Sequence, residues 1–261
     1  MPIGVASDAG DAPSRASAAA RGVELDRPIF ISGCNRGGTT IFSRLLSEHP
    51  EVNNIGTGPF HEGMHIWRRH FPDYSHHRWA VDPWRWRLQR KWANPRPRVS
   101  EDIRERFGEL DDGRRLMDKT PSHAIRVELI DRLFPSAVFL HVLRDGRHTV
   151  CSLIARGVKL KYAVRQWIGA HETALASLER LDPSRVVIAR YEELVARPGE
   201  TLLAICRGLQ LSQSEAIRAR LEAAATEQLR VVEQRWDELP ERQREFVLEQ
   251  IAPLQERLGY G

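Results

Sequence analysis

Short apolar stretches alternate with amphipathic segments over most of the chain, and this alternation predicts its secondary structure. The apolar stretches predict strands at residues 28–32, 114–118, 138–143 and 185–189. Apolar residues spaced three and four positions apart predict helices at residues 39–47, 103–110, 122–134, 164–181, 198–209 and 212–225. Strands that alternate with helices indicate an α/β fold. The length of 261 residues suits one such domain, or one domain with a sizeable insertion.

A glycine-rich loop at residues 33–38 joins the first predicted strand to the first predicted helix. Glycines let the backbone N–H groups of such a loop converge on one anion, and the start of the helix adds further donors. Arg36 adds a fixed positive charge, so the loop is predicted to bind phosphate. A nucleoside triphosphatase loop would read G-x-x-x-x-G-K-[ST]. Gly33 and Gly38 have that spacing, but Thr39 stands where the lysine should be.

The segment Arg36-Gly37-Gly38-Thr39-Thr40 resembles the 5′-phosphosulfate loop of sulfotransferases that use 3′-phosphoadenylyl sulfate (PAPS). That loop typically reads [K/R]-S-G-T-[T/S]. The chain departs from it at Gly37, which removes one hydroxyl contact but leaves the backbone cradle intact. The resemblance implies a P-loop-like, three-layer α/β/α fold with a central parallel sheet. It also implies that Gly37, Gly38, Thr39 and Thr40 bind PAPS.

Two further motifs of the same family follow in the family's order. Arg144 and Ser152 match its Arg-x₇-Ser pair, which grips the 3′-phosphate of the donor. The spacing makes physical sense, because a strand-end arginine and a serine two turns into the next helix can converge on one phosphate. Lys119 lies in a segment, residues 118–121, that resembles the family's [E/N]-K-[T/D/N]-P. The lysine of that segment lies close to the transferred sulfonyl group.

The resemblance continues to the end of the chain. Tyr191 lies in an Arg-Tyr-Glu-Glu-Leu segment like the one whose tyrosine is near the adenine. Arg235 and Trp236 resemble a segment that closes over the donor, and residues 254–260 resemble the family's closing L-x-x-L-G-Y pattern. The resemblance therefore covers residues 28–260. It is closest to the bacterial, carbohydrate and tyrosylprotein branches of the family.

The resemblance implies transfer of a sulfonyl group from PAPS to a hydroxyl or amine of an acceptor, with 3′,5′-adenosine diphosphate (PAP) as the second product. Arg36 and Lys119 would stabilise the negative charge of the transition state. Glu62, in the loop after the first helix, would accept the acceptor's proton, with His61 and His65 as alternatives. No metal is expected, because the donor has no β/γ-phosphate pair to bridge.

Tryptophans and arginines are concentrated in residues 65–98. Five of the seven tryptophans lie there, namely Trp67, Trp79, Trp84, Trp86 and Trp92. Aromatic faces and arginine side chains suit a sugar ring, a lipid headgroup or another polar acceptor, and they also suit single-stranded nucleic acid. The alternative is a Trp/Arg-rich helical insertion whose tryptophans pack onto the main domain. We expect residues 61–100 to form a cap on the acceptor side of a single domain at residues 26–261, after a disordered leader at residues 1–25.

The composition indicates which ligands and which cellular compartment suit the protein. The net charge is only +4 and the arginines are spread along the chain, which suits an anionic nucleotide as well as nucleic acid. Three scattered cysteines indicate neither a disulfide framework nor a zinc site. No apolar run approaches the roughly 18 residues of a transmembrane helix, and no signal peptide is evident. We therefore expect a cytoplasmic protein that acts on a small-molecule, glycan or lipid acceptor and not on nucleic acid.

Two other functions fit parts of the sequence. A P-loop nucleotide kinase would share the glycine-rich loop, but it would need the lysine that Thr39 replaces. A non-catalytic module that binds a glycan or nucleic acid through the Trp/Arg segment would bind an acceptor without binding the donor.

Overall fold

The computed structural model describes residues 25–71, 77–81, 94–230 and 235–260. The predicted leader lies almost entirely outside the described residues. So do residues 72–76 and 82–93 of the predicted cap, which include Trp84, Trp86 and Trp92.

The strands of the described residues form one parallel sheet. They are β1 (Ile29–Gly33), β2 (Val52–Asn54), β3 (Arg115–Lys119), β4 (Val138–Leu143) and β5 (Val186–Arg190). Their order across the sheet is β2-β3-β1-β4-β5, so β1 lies between β3 and β4. Parallel strands end at the same edge of a sheet. The glycine-rich loop after β1, Lys119 at the end of β3 and Arg144 after β4 therefore meet at one edge.

Helices connect the strands in the described part of the chain. They are α1 (Thr39–Leu46), α2 (Met64–Trp67), α3 (Pro97–Glu109), α4 (Val127–Leu133), α5 (Gly146–Ile154), α6 (Leu160–Leu178), α7 (Tyr191–Ala196), α8 (Pro198–Gly208), α9 (Glu215–Gln228) and α10 (Glu241–Arg257). Short 3₁₀ helices span Pro121–Ile125 and Pro183–Arg185. No helix in the described ranges is both long and apolar enough to cross a membrane.

The sheet has a hydrophobic core on each face, because successive side chains of a strand point to opposite sides. Ile29 and Ile31 of β1 pack with residues of α1, α8 and α9. Phe30, between them, packs with aromatic residues on the other face, including Trp67 and Phe139. Strands buried on both faces are typical of parallel sheets with helices on each side. The predicted three-layer α/β/α architecture is therefore confirmed.

The observed elements differ from the predicted ones in several places. The helix predicted at residues 122–134 is a buried 3₁₀ turn followed by α4, with the break at Arg126. The sequence pattern does not predict β2, because only Val52 of its three residues is apolar. It does not predict α10 either, which is rich in charged residues and contains Pro253. Other ends shift by a few residues: α6, for example, begins at Leu160.

Candidate active site

The loop between β1 and α1 forms a tight turn in which the Gly37 N–H donates to the Cys34 carbonyl oxygen at 2.9 Å. A Cβ on Gly37 would lie 2.8 Å from that same oxygen. Gly38 has a φ of 95°, and a Cβ there would lie 2.5 Å from Cδ2 of Tyr191. Both positions therefore require glycine. The serine that the family usually has at position 37 would force this loop to move, which explains the departure at Gly37.

Arg36, Arg144, Ser152 and Tyr191 come together beside the loop, and we call them the arginine cluster. The Arg36 Nε donates to the Ser152 Oγ at 3.1 Å. An Nη of Arg144 donates to the Arg36 carbonyl oxygen at 3.1 Å, and the Arg144 guanidinium lies 4.2 Å from the centre of the Tyr191 ring. The predicted Arg144/Ser152 pair is thus held together through Arg36.

The charges of the arginine cluster favour the binding of an anion. Burial lowers the pKa of Arg36, and the positive charges of Arg156 and Arg144 lower this pKa further. Arg144 is only 7 % exposed, and its Nε is buried without a hydrogen-bond partner among the described residues. A buried donor without a partner is costly, whereas a phosphate would satisfy it with a charge-assisted bond. The cluster therefore fits a phosphate group of a nucleotide donor.

Arg156 is a component of this site that sequence reasoning missed. It lies four residues after Ser152, just beyond the end of α5, and it is close enough to Arg36 to lower the pKa of that residue. The signal in the sequence was the spacing, because residues four apart lie on the same side of a helical segment.

Lys119, Thr40 and Glu62 form a second group at the end of β3. The Lys119 Nζ donates to the Thr40 Oγ1 at 3.2 Å and to the Glu62 Oε1 at 3.3 Å. The Lys119 side chain is fully buried, whereas Glu62 is 29 % exposed. Burial lowers the pKa of Lys119, and the Glu62 carboxylate opposes this shift. A cation and a partly exposed carboxylate therefore lie side by side next to the start of α1.

His61 and His65 lie in the same loop as Glu62. Burial lowers the pKa of His61, as do the positive charges of Arg44 and Lys119. The His65 Nδ1 lies 3.3 Å from the Thr57 Oγ1. Of the three candidate bases, Glu62 is the one that contacts Lys119.

Residues 28–215 match the family model described as the sulfotransferase family. This chain belongs to the sulfotransferase family. It is 28% identical over 197 residues to the protein-tyrosine sulfotransferase 2 of Gallus gallus, covering 72% of this chain and 52% of that protein. It is 28% identical over 204 residues to the protein-tyrosine sulfotransferase of Drosophila melanogaster, covering 72% and 39%. It spans about half the length or less of these curated relatives.

The fold agrees with this membership. The crystal structure of the sulfotransferase STF9 from Mycobacterium avium aligns with a TM-score of 0.61 at 16% identity, over 90% of this chain and 77% of that one. The family predicted from the sequence motifs and the P-loop-like fold are both confirmed.

Two of the residues predicted for the site of this family member, Arg235 and Trp236, form no hydrogen bond with either group in the described part of the chain. Arg235 is exposed, and its side chain makes no hydrogen bond or ion pair within the described ranges. Trp236 packs against the hydrophobic core. Arg36 and Lys119 belong to different groups, since no hydrogen bond joins Arg36 to Lys119, Thr40 or Glu62 in the described part of the chain.

Two tryptophans of the predicted cap are structural in this sulfotransferase-family chain. Trp67 is 0 % exposed and Trp79 is 4 % exposed. The Trp67 Nε1 donates to the Asp118 carboxylate at 2.6 Å. The Trp79 Nε1 donates to the side-chain oxygen of Asn35 in the glycine-rich loop at residues 33–38, which we call the donor loop. Their aromatic faces are therefore closed to an acceptor, and the packing alternative holds for both.

A cationic cavity of about 330 Å³ lies beside the arginine cluster of this family member. Its lining includes His77, Arg78, Arg156, Lys159 and Tyr162. The Arg78 guanidinium lies 3.7 Å from the centre of the Tyr162 ring. Arg156 lines this cavity and also lowers the pKa of Arg36, so the cavity is near the arginine cluster. No group of three or more metal-binding side chains is found within the ranges that the structure describes.

Proposed function

We propose that this chain transfers a sulfonyl group from PAPS to the hydroxyl of an acceptor. The observation that carries the proposal is the pairing of two groups at one edge of the sheet. The arginine cluster suits a phosphate, and the buried Lys119 contacts both Thr40 and Glu62 beside it. Arg36 lies in the donor loop and Thr40 lies in the first turn of the helix that follows, so one short segment joins the groups.

Different residues of the chain would bind different parts of the donor. When bound, PAPS supplies the sulfonyl group, and PAP is the nucleotide that remains. The N–H groups of Gly37, Gly38, Thr39 and Thr40 would hold its 5′-phosphosulfate. Arg144 and Ser152, with Arg36 and Arg156, would bind the 3′-phosphate. Tyr191, which is half-buried under the Arg144 guanidinium, would lie near the adenine.

Glu62 and Lys119 would act on the reacting atoms. Glu62 takes the proton of the acceptor hydroxyl while the oxygen of that hydroxyl forms its bond to sulfur. Lys119, buried and charged, stabilises negative charge on the sulfonyl oxygens and on the 5′-phosphate oxygen from which sulfur departs. Their 3.3 Å contact keeps the base and the cation on the same side of the donor loop. Arg36 would act on the nucleotide from the arginine cluster, as a charge that does not titrate.

We propose a phenolic hydroxyl next to a negative charge as the first acceptor to test. The names of the relatives support a tyrosine acceptor. The cationic cavity supports a negative neighbour, because no described carboxylate forms an ion pair with Arg78 or Lys159. A small-molecule, glycan or lipid acceptor with an anionic group would use the same cavity.

A transfer assay with ³⁵S-labelled PAPS tests the proposal. The acceptors are a tyrosine peptide flanked by aspartates, the same peptide flanked by serines, p-nitrophenol and a simple glycoside. We expect label on at least one acceptor, with the aspartate-flanked peptide ahead of the serine-flanked one. No transfer to any of them, together with tighter binding of ADP than of PAP, would favour the kinase alternative.

Glu62→Gln tests the assignment of the base. The variant keeps the size of the side chain and removes its ability to take a proton, so kcat should fall by about 100-fold or more. The affinity for PAP, measured by calorimetry, should stay within about twofold of wild type. Glu101→Gln, an exposed change on α3, is the matched control and should leave both unchanged. An unaltered kcat in Glu62→Gln would transfer the role to His61 or His65.

A further inference from the structure

A buried carboxylate lies directly before Lys119 in β3, and the proposed reaction does not use it. Asp118 is 0 % exposed, and several donors surround its two oxygens. The Oδ1 accepts from the Gly63 N–H at 3.2 Å and from the Thr120 hydroxyl at 3.0 Å. The Oδ2 accepts from the Trp67 Nε1 at 2.6 Å and lies 3.1 Å from the His123 Nε2.

The carboxylate stays ionised although it is buried. Burial by itself raises the pKa of Asp118. The interactions with His123, Trp67 and Thr120 outweigh burial and hold the pKa below its ordinary value. An ionised carboxylate bonds its donors more strongly than a neutral group does. Asp118 therefore holds the groups that donate to its carboxylate in fixed positions.

Two of those groups belong to the segment that carries Glu62. Gly63 follows Glu62 directly, and Trp67 ends the short helix α2 that begins one residue later. A Cβ on Gly63 would overlap the Asp118 carboxylate, so the backbone of this segment approaches Asp118 as closely as only glycine permits. On the other side of Glu62, the backbones of Thr57 and Glu62 form an antiparallel bridge. Glu62 is thus held between a local turn and Asp118.

The end of β3 consequently orients both members of the Glu62/Lys119 pair. Successive side chains of a strand point to opposite faces. Lys119 reaches Thr40 in the first turn of α1, while Asp118 reaches the opposite face and holds Gly63 and Trp67. We propose that Asp118 is a positioning residue that fixes Glu62 against Lys119 for proton transfer. This inference rests on the proposed function, in which Glu62 is the base.

Asp118→Asn perturbs this carboxylate with almost no change in volume. The amide nitrogen must face one of the two sets of donors, so at least one contact is lost. A displacement of about 1 Å at a reacting group can cost on the order of 100-fold in rate. We expect kcat to fall about 10- to 100-fold, with PAP affinity within about twofold of wild type. Trp67→Phe, which deletes one donor on the Glu62 side and keeps an aromatic ring, should lower kcat in the same direction.

Thr120→Val is the matched control. It deletes a donor to the same carboxylate at a position that is equally buried, but Thr120 does not belong to the segment that carries Glu62. We expect kcat of Thr120→Val to stay within about twofold of wild type. An equal loss of kcat in Thr120→Val and Trp67→Phe would overturn the inference, because the carboxylate would then act only as a structural element.

A double-mutant cycle with Glu62→Gln separates positioning from general damage. If Asp118 acts through Glu62, then Asp118→Asn should have little further effect on kcat in a Glu62→Gln background. The same fold-loss in both backgrounds would overturn the inference. Trp67→Phe replaces Asp118→Asn in the cycle if the latter does not fold. A wild-type rate in Glu62→Gln alone would instead mean that the proposed base is wrong.

Discussion

Replacing Arg144 by glutamine should remove most of the recognition of a 3′-phosphate. In the structure Arg144 is nearly buried, it lies over Tyr191, and its Nε has no hydrogen-bond partner among the described residues. A hydrogen bond to a charged group contributes about 1.5–3 kcal/mol. Because 1.4 kcal/mol corresponds to a factor of ten, the Kd for PAP should rise about 10- to 150-fold.

Calorimetry with PAP and with adenosine 5′-monophosphate separates this effect from general damage. The monophosphate lacks the 3′-phosphate, so Arg144→Gln should weaken its binding by no more than about threefold. Arg165→Gln, an exposed change on α6, is the control and should bind both nucleotides as wild type does. If Arg144→Gln weakened the binding of both nucleotides by the same factor, Arg144 would support the loop and would not recognise the 3′-phosphate.

Two further predictions concern the stability of the fold around the site. Gly37→Ser should lower the free energy of unfolding by about 1–3 kcal/mol, because its Cβ would lie 2.8 Å from the Cys34 carbonyl oxygen; urea unfolding measures this, and unchanged stability would contradict the steric argument. Burial lowers the pKa of His141 to about 3, so as the pH falls below 6.5 the unfolded chain takes up a proton first. Wild type should therefore lose about 2 kcal/mol more than His141→Gln does between pH 7 and pH 5. The same pH dependence in both proteins would show that His141 is not the residue responsible.

Most of the residues predicted to bind the donor could be found in the sequence, because they lie in short motifs that directly follow apolar strands. The glycine-rich loop, Lys119 and the Arg144/Ser152 pair each follow an apolar strand, and a parallel sheet brings such ends to one edge. Arg156 was missed although its spacing from Ser152 was visible. The positions of Arg235 and Trp236 were not predictable in this way, because no buried strand end determines where their segment lies.

The sequence by itself determined the fold class, the family and the positions of the donor-binding motifs along the chain, since local patterns and motif spacing are enough for these. Only the tertiary structure decided which of those residues meet. Arg36 contacts Ser152 and not Lys119, and Glu62 meets Lys119 across 57 residues of chain. The tertiary structure also showed that Trp67, in the segment that carries Glu62, is buried against Asp118 and donates a hydrogen bond to it. Such contacts depend on how distant segments share buried space and satisfy each other's hydrogen bonds, which no local pattern records.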